Sequence, residues 1–375
     1  MTAKRTPLYH AFLARNAQMA EKAHFLTANA FTDPKTEHHA VRSAAGLFEI
    51  FGQFLVEIAG AGAERFLDET LVADFTKVPV GGGVYCGILN DQGGFIDDVI
   101  TYRPDADRFW LVPAPHRVER VETYLRDRAK PYGVHVVSLG YRYTSLSLQG
   151  PKSRGCLAAV TAADVSAQAL PGFGVLTARV CGIDGVIVTR TGFTGELGYE
   201  LWVPTEYATT FYDSLLGTGA PLGLVPCGAG AMGSLRIEKR FPIWGRDLDE
   251  RTTPVEAGLG WTVRPKVADY PGKAVVERQK AEGPSRRLML LELAEGAGLP
   301  EMGAPVLQQD QPIGKVTSTA FGHSIGRALA LAYLPTGGIG ADQPLSIAGT
   351  PTRAPTHVRA HGKALYDPTS ARSRA

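Results

Sequence analysis

The chain has 375 residues, and 39 Lys and Arg against 37 Asp and Glu leave a formal net charge of +2. So even a balance gives no broad basic field and argues against nucleic acid as a partner; 44% hydrophobic residues argue against disorder. Forty-three glycines and 25 prolines predict many turns in a mixed α/β protein, long enough for two or three packed lobes.

No apolar run follows the first charged residues, so no secretory signal is predicted. The longest charge-free stretch, between Asp213 and Arg236, carries six glycines and two prolines, which argues against a membrane helix. Cys86, Cys156, Cys181 and Cys227 form no CxxC pair, so free buried thiols in a reducing cytoplasm are expected.

In chain order, residues 10–23 read as a surface helix and 53–58 as a strand, followed by a glycine-rich turn and a helix to Leu71. Residues 83–102 read as a β-hairpin around Asn90-Asp91-Gln92-Gly93-Gly94, 108–112 as a strand and 115–128 as a helix. The order then recurs: strand 143–149, helix 152–161, strands 175–181 and 185–190, helix 206–216. After Gly283-Pro284-Ser285 the pattern changes to short strands at 288–293, 305–307, 313–319, 328–334 and 345–347, which predicts a small barrel or sandwich. The tail after Asp367 is polar and expected to fray.

Three clusters could carry chemistry. In Gly93-Gly94-Phe95-Ile96-Asp97-Asp98 two carboxylates leave a turn for an apolar strand. Strand neighbours face opposite sides, so one Asp can point inward while the other stays wet. A carboxylate among apolar groups suits proton transfer or stabilisation of a cation, although spacing alone favours a turn with a solvated edge. In residues 190–200, Gly192, Gly195 and Gly198 allow close approach to a ligand, Phe193 offers a stacking ring and Glu200 a bidentate acceptor. The plainer alternative is a glycine-rich hairpin. Residues 244–259 are polar and bounded by apolar residues; they form either a network between lobes or, as composition favours, a solvated loop. His38 and His39 have no metal-ligand spacing and read as surface helix residues, so no metal is expected. Met19, Met232, Met289 and Met302 read as core filling.

Taken together, these segments resemble the glycine cleavage T-protein (aminomethyltransferase) family. The likeness runs nearly end to end, through Arg5-Thr6-Pro7-Leu8-Tyr9, residues 41–48, 93–98, 148–151, 190–200, 234–238, 253–259, 313–318 and 328–333. In its lobe motifs it is closest to the folate domains of sarcosine and dimethylglycine dehydrogenases. The resemblance implies an α+β, three-domain clover-leaf fold with tetrahydrofolate in the central hole. Residues 1–283 would form a bipartite folate-binding region of two related lobes, and 284–375 a C-terminal β-barrel. It implies that Asp98 is the catalytic carboxylate, Glu200 grips the pterin edge, and Tyr85, Phe193, Gln53 and Arg236 line the ligand.

The chain also departs from the family: Gln53 stands where a Met is usual, Met232 where an Arg is usual, Pro113 where Asn is common and Phe193 where Tyr is frequent, and a Phe-Ala-Gly-Trp element is missing around Ala23–Ala30. They lie where the one-carbon donor would dock. The expected function is therefore a tetrahydrofolate-dependent one-carbon transferase, demethylase-like, taking a methyl or methylene unit from a small methylated or aminomethyl donor. Glycine-cleavage aminomethyl transfer is the runner-up, and a non-enzymatic folate-binding accessory protein the third reading. The partners implied are that small donor and a lipoyl carrier protein or a partner oxidoreductase, with no nucleic acid or membrane.

Overall fold

Two sheets built on one plan carry the first three quarters of the chain. The computed structural model describes residues 3–337, 344–349 and 355–375. The first lobe runs strand Val56–Ala59, helix Ala63–Asp68, strands Gly83–Leu89, Phe95–Asp105 and Arg108–Val112, helix Val118–Ala129 and strand His135–Ser138. The second repeats that order from Tyr143–Gln149 to Leu224–Pro226. In both sheets the second, third and fourth strands of the unit come first, then the first strand, and the fifth stands at the far edge. Strand Ala45–Ile50 is inserted into the second sheet, beside Tyr143–Gln149, giving six strands against five.

Alternation explains how the sheets meet. Along Phe95–Asp105 the odd position Val99 enters the first lobe's core, and along Gly198–Pro204 so do Tyr199, Leu201 and Val203 in the second. From Asp98 onward the even positions face the seam between lobes. There Tyr102, Trp110 and Val112 pack on Ile187 and Trp202. Fully burying an aromatic ring of this size contributes about 2–3 kcal/mol, so the seam is held as firmly as a core.

The last quarter of the chain holds a closed six-stranded barrel made by Arg286–Leu293, Pro305–Gln308, Gln311–Gly322, Arg327–Pro335, Leu345–Ile347 and Thr356–His361. The mixed α/β lobes with this barrel give the expected clover-leaf class. The final strand was not predicted, because only Val358 and Ala360 mark its inner face.

Several local expectations are corrected. Residues 10–23 are a helix only over Tyr9–Ala14; Gln18–Lys22 pairs instead with strand Phe25–Ala30. His38 is fully buried, because helix Pro34–Ser43 packs that face under the barrel loop. Its Nε2 lies 2.7 Å from Ser324 Oγ and its Nδ1 3.0 Å from Ser234 Oγ. Burial, with Arg42 alongside, pushes it down to about 3, so it is neutral. His39 is exposed as expected. Met302 is 59% exposed rather than core, and Cys181 is only half-buried.

The polar run 244–259 is solvated only in part: Arg246, Asp249, Glu250 and Arg251 are exposed, whereas most of its other residues pack inward. Asp247 is buried and accepts from Arg236 Nη1 (3.1 Å), Thr317 Oγ1 (2.5 Å) and Ser318 Oγ (2.8 Å), tying helix Ala229–Glu238 to the barrel. Nor does the tail fray. Arg372 Nε reaches Glu196 at 2.7 Å, and Lys239 Nζ donates to Asp367 O at 2.6 Å. Buried carboxylates such as Glu196 need partners, and the tail supplies one.

No described helix is long and apolar enough to cross a membrane. Among the described residues no group of three or more metal-ligating side chains occurs.

Candidate active site

The site begins at the hairpin turn. Asn90 Oδ1 accepts from Gln92 N and Gly94 N, each at 3.0 Å, and Gly93 adopts φ +81°. A side chain at Gly94 would collide with the Glu250 carbonyl, so the turn seats closely against the 246–253 loop. This fixes the strand that follows and with it both carboxylates. Asp97 is fully buried and accepts from Ala114 N and Asp98 N, each at 3.0 Å. Burial, then the charge of Asp98, raises it well above the usual carboxylate range. Asp98 points the other way, half-buried, and its Oδ2 accepts from Tyr85 Oη at 2.8 Å. Burial pushes Asp98 up to about 6, with the Tyr85 hydroxyl pulling it back. At neutral pH Asp98 is therefore ionised beside a protonated Tyr85, whose own pKa burial raises.

Asp98, Ile100 and Tyr102 share one face of their strand, so Asp98 faces the seam. Glu200 and Trp202 share the seam face of theirs. The two lines meet at a hydroxyl relay. Tyr102 Oη lies 2.9 Å from Thr191 Oγ1, which donates to Glu200 Oε2 at 3.1 Å. Glu200 is 6% exposed, and burial pushes it up to about 7. The distance from Asp98 to Tyr102 along the strand is roughly 14 Å at ~3.4 Å per residue. The two acids thus stand toward opposite ends of one seam.

Glu200 pairs in register with Ser147, and Ser147 with Phe48. Ser147 Oγ and Trp202 Nε1 are buried with no hydrogen-bond partner in the protein. Unpaired buried polar atoms are costly, so these two, on residues flanking Glu200 in the sheet, mark a place built for a polar ligand edge. Phe48 and Ile50 share an apolar cluster with Met232, which forms the adjoining wall.

The structure brings Asp98 and Tyr85 into direct contact and sets Glu200 across the seam from them. Phe193 is half-buried and stacks on Phe241, centroids 5.6 Å apart at 25°. Gln53 lines a hollow at the sheet's end that also takes in Ile50 and Ser145, and it accepts from Ser145 Oγ at 3.4 Å. Arg236 is 2% exposed and spent on Asp247 and Phe241 O. The glycines at 192, 195 and 198 do not open space for a ligand. Side chains at Gly192 and Gly198 would collide with Gln149, and one at Gly195 with Lys239. Sequence reading missed Ser147, Trp202 and Thr191, although parity with Glu200 along paired strands marks the first two. It also missed Trp261, 58% exposed, whose ring lies 5.9 Å from that of Tyr85.

Comparison with known proteins places this geometry in a family. Residues 8–267 match the GCVT N-terminal domain, and 286–367 the glycine cleavage T-protein C-terminal barrel domain. The chain is 32% identical to the aminomethyltransferase of Desulforamulus reducens, over 94% of this chain and 96% of that one. It is 34% identical to the aminomethyltransferase of Halothermothrix orenii, over 88% and 91% of the two chains. Its fold superposes on the crystal structure of glycine cleavage system aminomethyltransferase T from Bartonella henselae with a TM-score of 0.88. That match has 26% identity and covers 98% of this chain and 99% of that one. The chain belongs to the glycine cleavage T-protein family.

Proposed function

We propose that the chain is a tetrahydrofolate-dependent one-carbon transferase and that its reaction is aminomethyl transfer of the glycine-cleavage kind. The observation that carries this reading is the seam itself: an ionised Asp98 at one end and, at the other, Glu200 beside two unpartnered polar atoms. A reduced pterin edge offers both N–H donors and acceptors. Glu200 would accept from the donors, Trp202 Nε1 would donate, and Ser147 Oγ can do either. When bound, tetrahydrofolate supplies the nitrogens that take up the one-carbon unit. Asp98 contributes a fixed negative charge and a proton acceptor in a partly dry wall, where positive charge developing on that unit is stabilised. Tyr85 holds Asp98 in place and keeps it ionised at neutral pH. Residues 1–283 carry this site in our reading, and 284–375 brace it through Asp247.

The aminomethyl donor would be the arm of a lipoyl carrier protein. A second reading, transfer from a small methylated donor, is favoured by the apolar wall of Phe48, Ile50 and Met232, where the family more often has an Arg. One experiment separates them. The protein is incubated with tetrahydrofolate and either an aminomethyl-loaded lipoyl carrier or a panel of N-, S- and O-methyl compounds, and the folate product is identified by mass. Turnover with the carrier supports the first reading, and turnover only with a small donor the second. Asp98→Asn should bind tetrahydrofolate within a few-fold of the parent yet lose at least 100-fold in turnover. An unchanged kcat overturns the role given to Asp98.

A further inference from the structure

Glu49 lies on the strand Ala45–Ile50, next to Phe48 and Ile50 in sequence and therefore on the opposite face. Its own side chain is turned away from the seam. It opens on a hollow of about 270 Å³ at the end of the six-stranded sheet, walled by Thr6, Phe25, Phe51, Gln53 and Tyr141. Glu49 Oε2 accepts from Thr27 Oγ1 at 3.3 Å and the Thr6 hydroxyl stands by the same carboxyl, yet Oε1 is buried with no close hydrogen-bond partner. A buried carboxylate with a free oxygen is costly unless something completes it.

The walls indicate what completes it. Phe25 and Phe51 present their rings 6.1 Å apart at 45°, and Tyr141 packs edge-on against Phe54 at 4.8 Å. The chain already sets an ammonium against this wall: Lys4 Nζ lies 5.7 Å from the Phe25 centroid and 5.9 Å from that of Tyr141. Aromatic faces attract cations, and alkylated ammonium ions gain from the apolar contact as well. Glu49 is the one carboxylate among the described residues of the lining, and the hollow is larger than a bare hard metal ion needs.

We infer that the Glu49 hollow is a binding site for a small N-methylated ammonium ion, with an N–H or the cationic centre on Glu49 and its methyl groups against Phe25, Phe51 and Tyr141. The hollow reaches round the end of the strand to Ile50 and Ser145 and so adjoins the seam; the test is run without folate, so that its outcome stays separate from that of the folate reading. Burial pushes Glu49 up to about 7. Binding of a cation therefore displaces a proton below that pH and weakens as pH falls. The other titratable groups around Glu49 are Arg5, Tyr141 and Tyr143 on the wall, Lys4 over the rings, and Tyr212 behind it.

The test is calorimetry on the full chain without folate, titrating dimethylammonium and trimethylammonium chloride, with isopropanol and tert-butanol as neutral counterparts of like shape. The expected result is saturable binding of the cations and none of the alcohols at pH 8. Affinity should fall about fivefold between pH 7 and pH 6 and at least tenfold in Glu49→Gln; Phe25→Leu should weaken it less. No cation binding at millimolar concentration, equal binding of the alcohols, or unchanged affinity in a folded Glu49→Gln overturns the inference. Should Glu49→Gln not fold, the contrast between ammonium and alcohol on the parent protein decides.

Discussion

Glu200→Gln should make the protein more stable, and only at neutral and higher pH. In the parent, burial raises the Glu200 carboxyl from 4.5 to about 7. The folded state therefore binds more protons than the unfolded state between those values. Stability contributed by this group is greatest below about pH 4.5, declines as pH rises to 7, and stays low above it. Each pKa unit is about 1.4 kcal/mol, so at pH 8 the ionised carboxylate costs about 3 kcal/mol. Glutamine keeps the shape and the acceptor facing Thr191 but carries no charge. Its extra N–H donors cost about 1 kcal/mol at any pH if left unpaired. Urea unfolding of both proteins at pH 5 and pH 8 measures the effect. The variant's stability relative to the parent should improve by about 2 kcal/mol or more between the two. A difference that does not change with pH would refute the burial argument, and a variant that weakens as pH rises would reverse it. An active-site acid held at a cost to stability is the expected signature of a group kept for function.

Asp247→Asn should lower stability by about 3–5 kcal/mol, because Arg236 is left charged and uncompensated at 2% exposure; thermal unfolding checks this, and the double change with Arg236→Met should recover much of the loss. Tyr85→Phe removes the hydrogen bond that pulls the Asp98 pKa down. The acid limb of its pH–rate profile should therefore move above about 6, while a limb that stays put would detach Tyr85 from the titration of Asp98.

Much of the site was legible because it rests on alternation and on motifs. The hairpin at Gly83–Leu89 and Phe95–Asp105 was readable from its turn residues, and the opposite facing of Asp97 and Asp98 follows from strand geometry. The strands Arg108–Val112 and Tyr143–Gln149 stand where their apolar runs predicted. What escaped depends on long-range partners. Nothing local says that Asp247 meets Ser318, 71 positions away, so a polar run read as a loop. His38 looked like a surface residue because the barrel loop that covers it lies 286 positions on. The glycines near Phe193 signalled close approach correctly, but the approaching group is Gln149 rather than a ligand. Composition shows that a backbone is bare, not what comes against it.

The most direct measurement is a calorimetric titration of tetrahydrofolate into the parent protein and into Glu200→Gln at pH 7.5. One site per chain is predicted, weakened about 10- to 100-fold in the variant, as expected for losing a charge-assisted contact of about 1.5–3 kcal/mol. No uptake by the parent, or equal affinity in the two proteins, would contradict the placement of the pterin edge at Glu200.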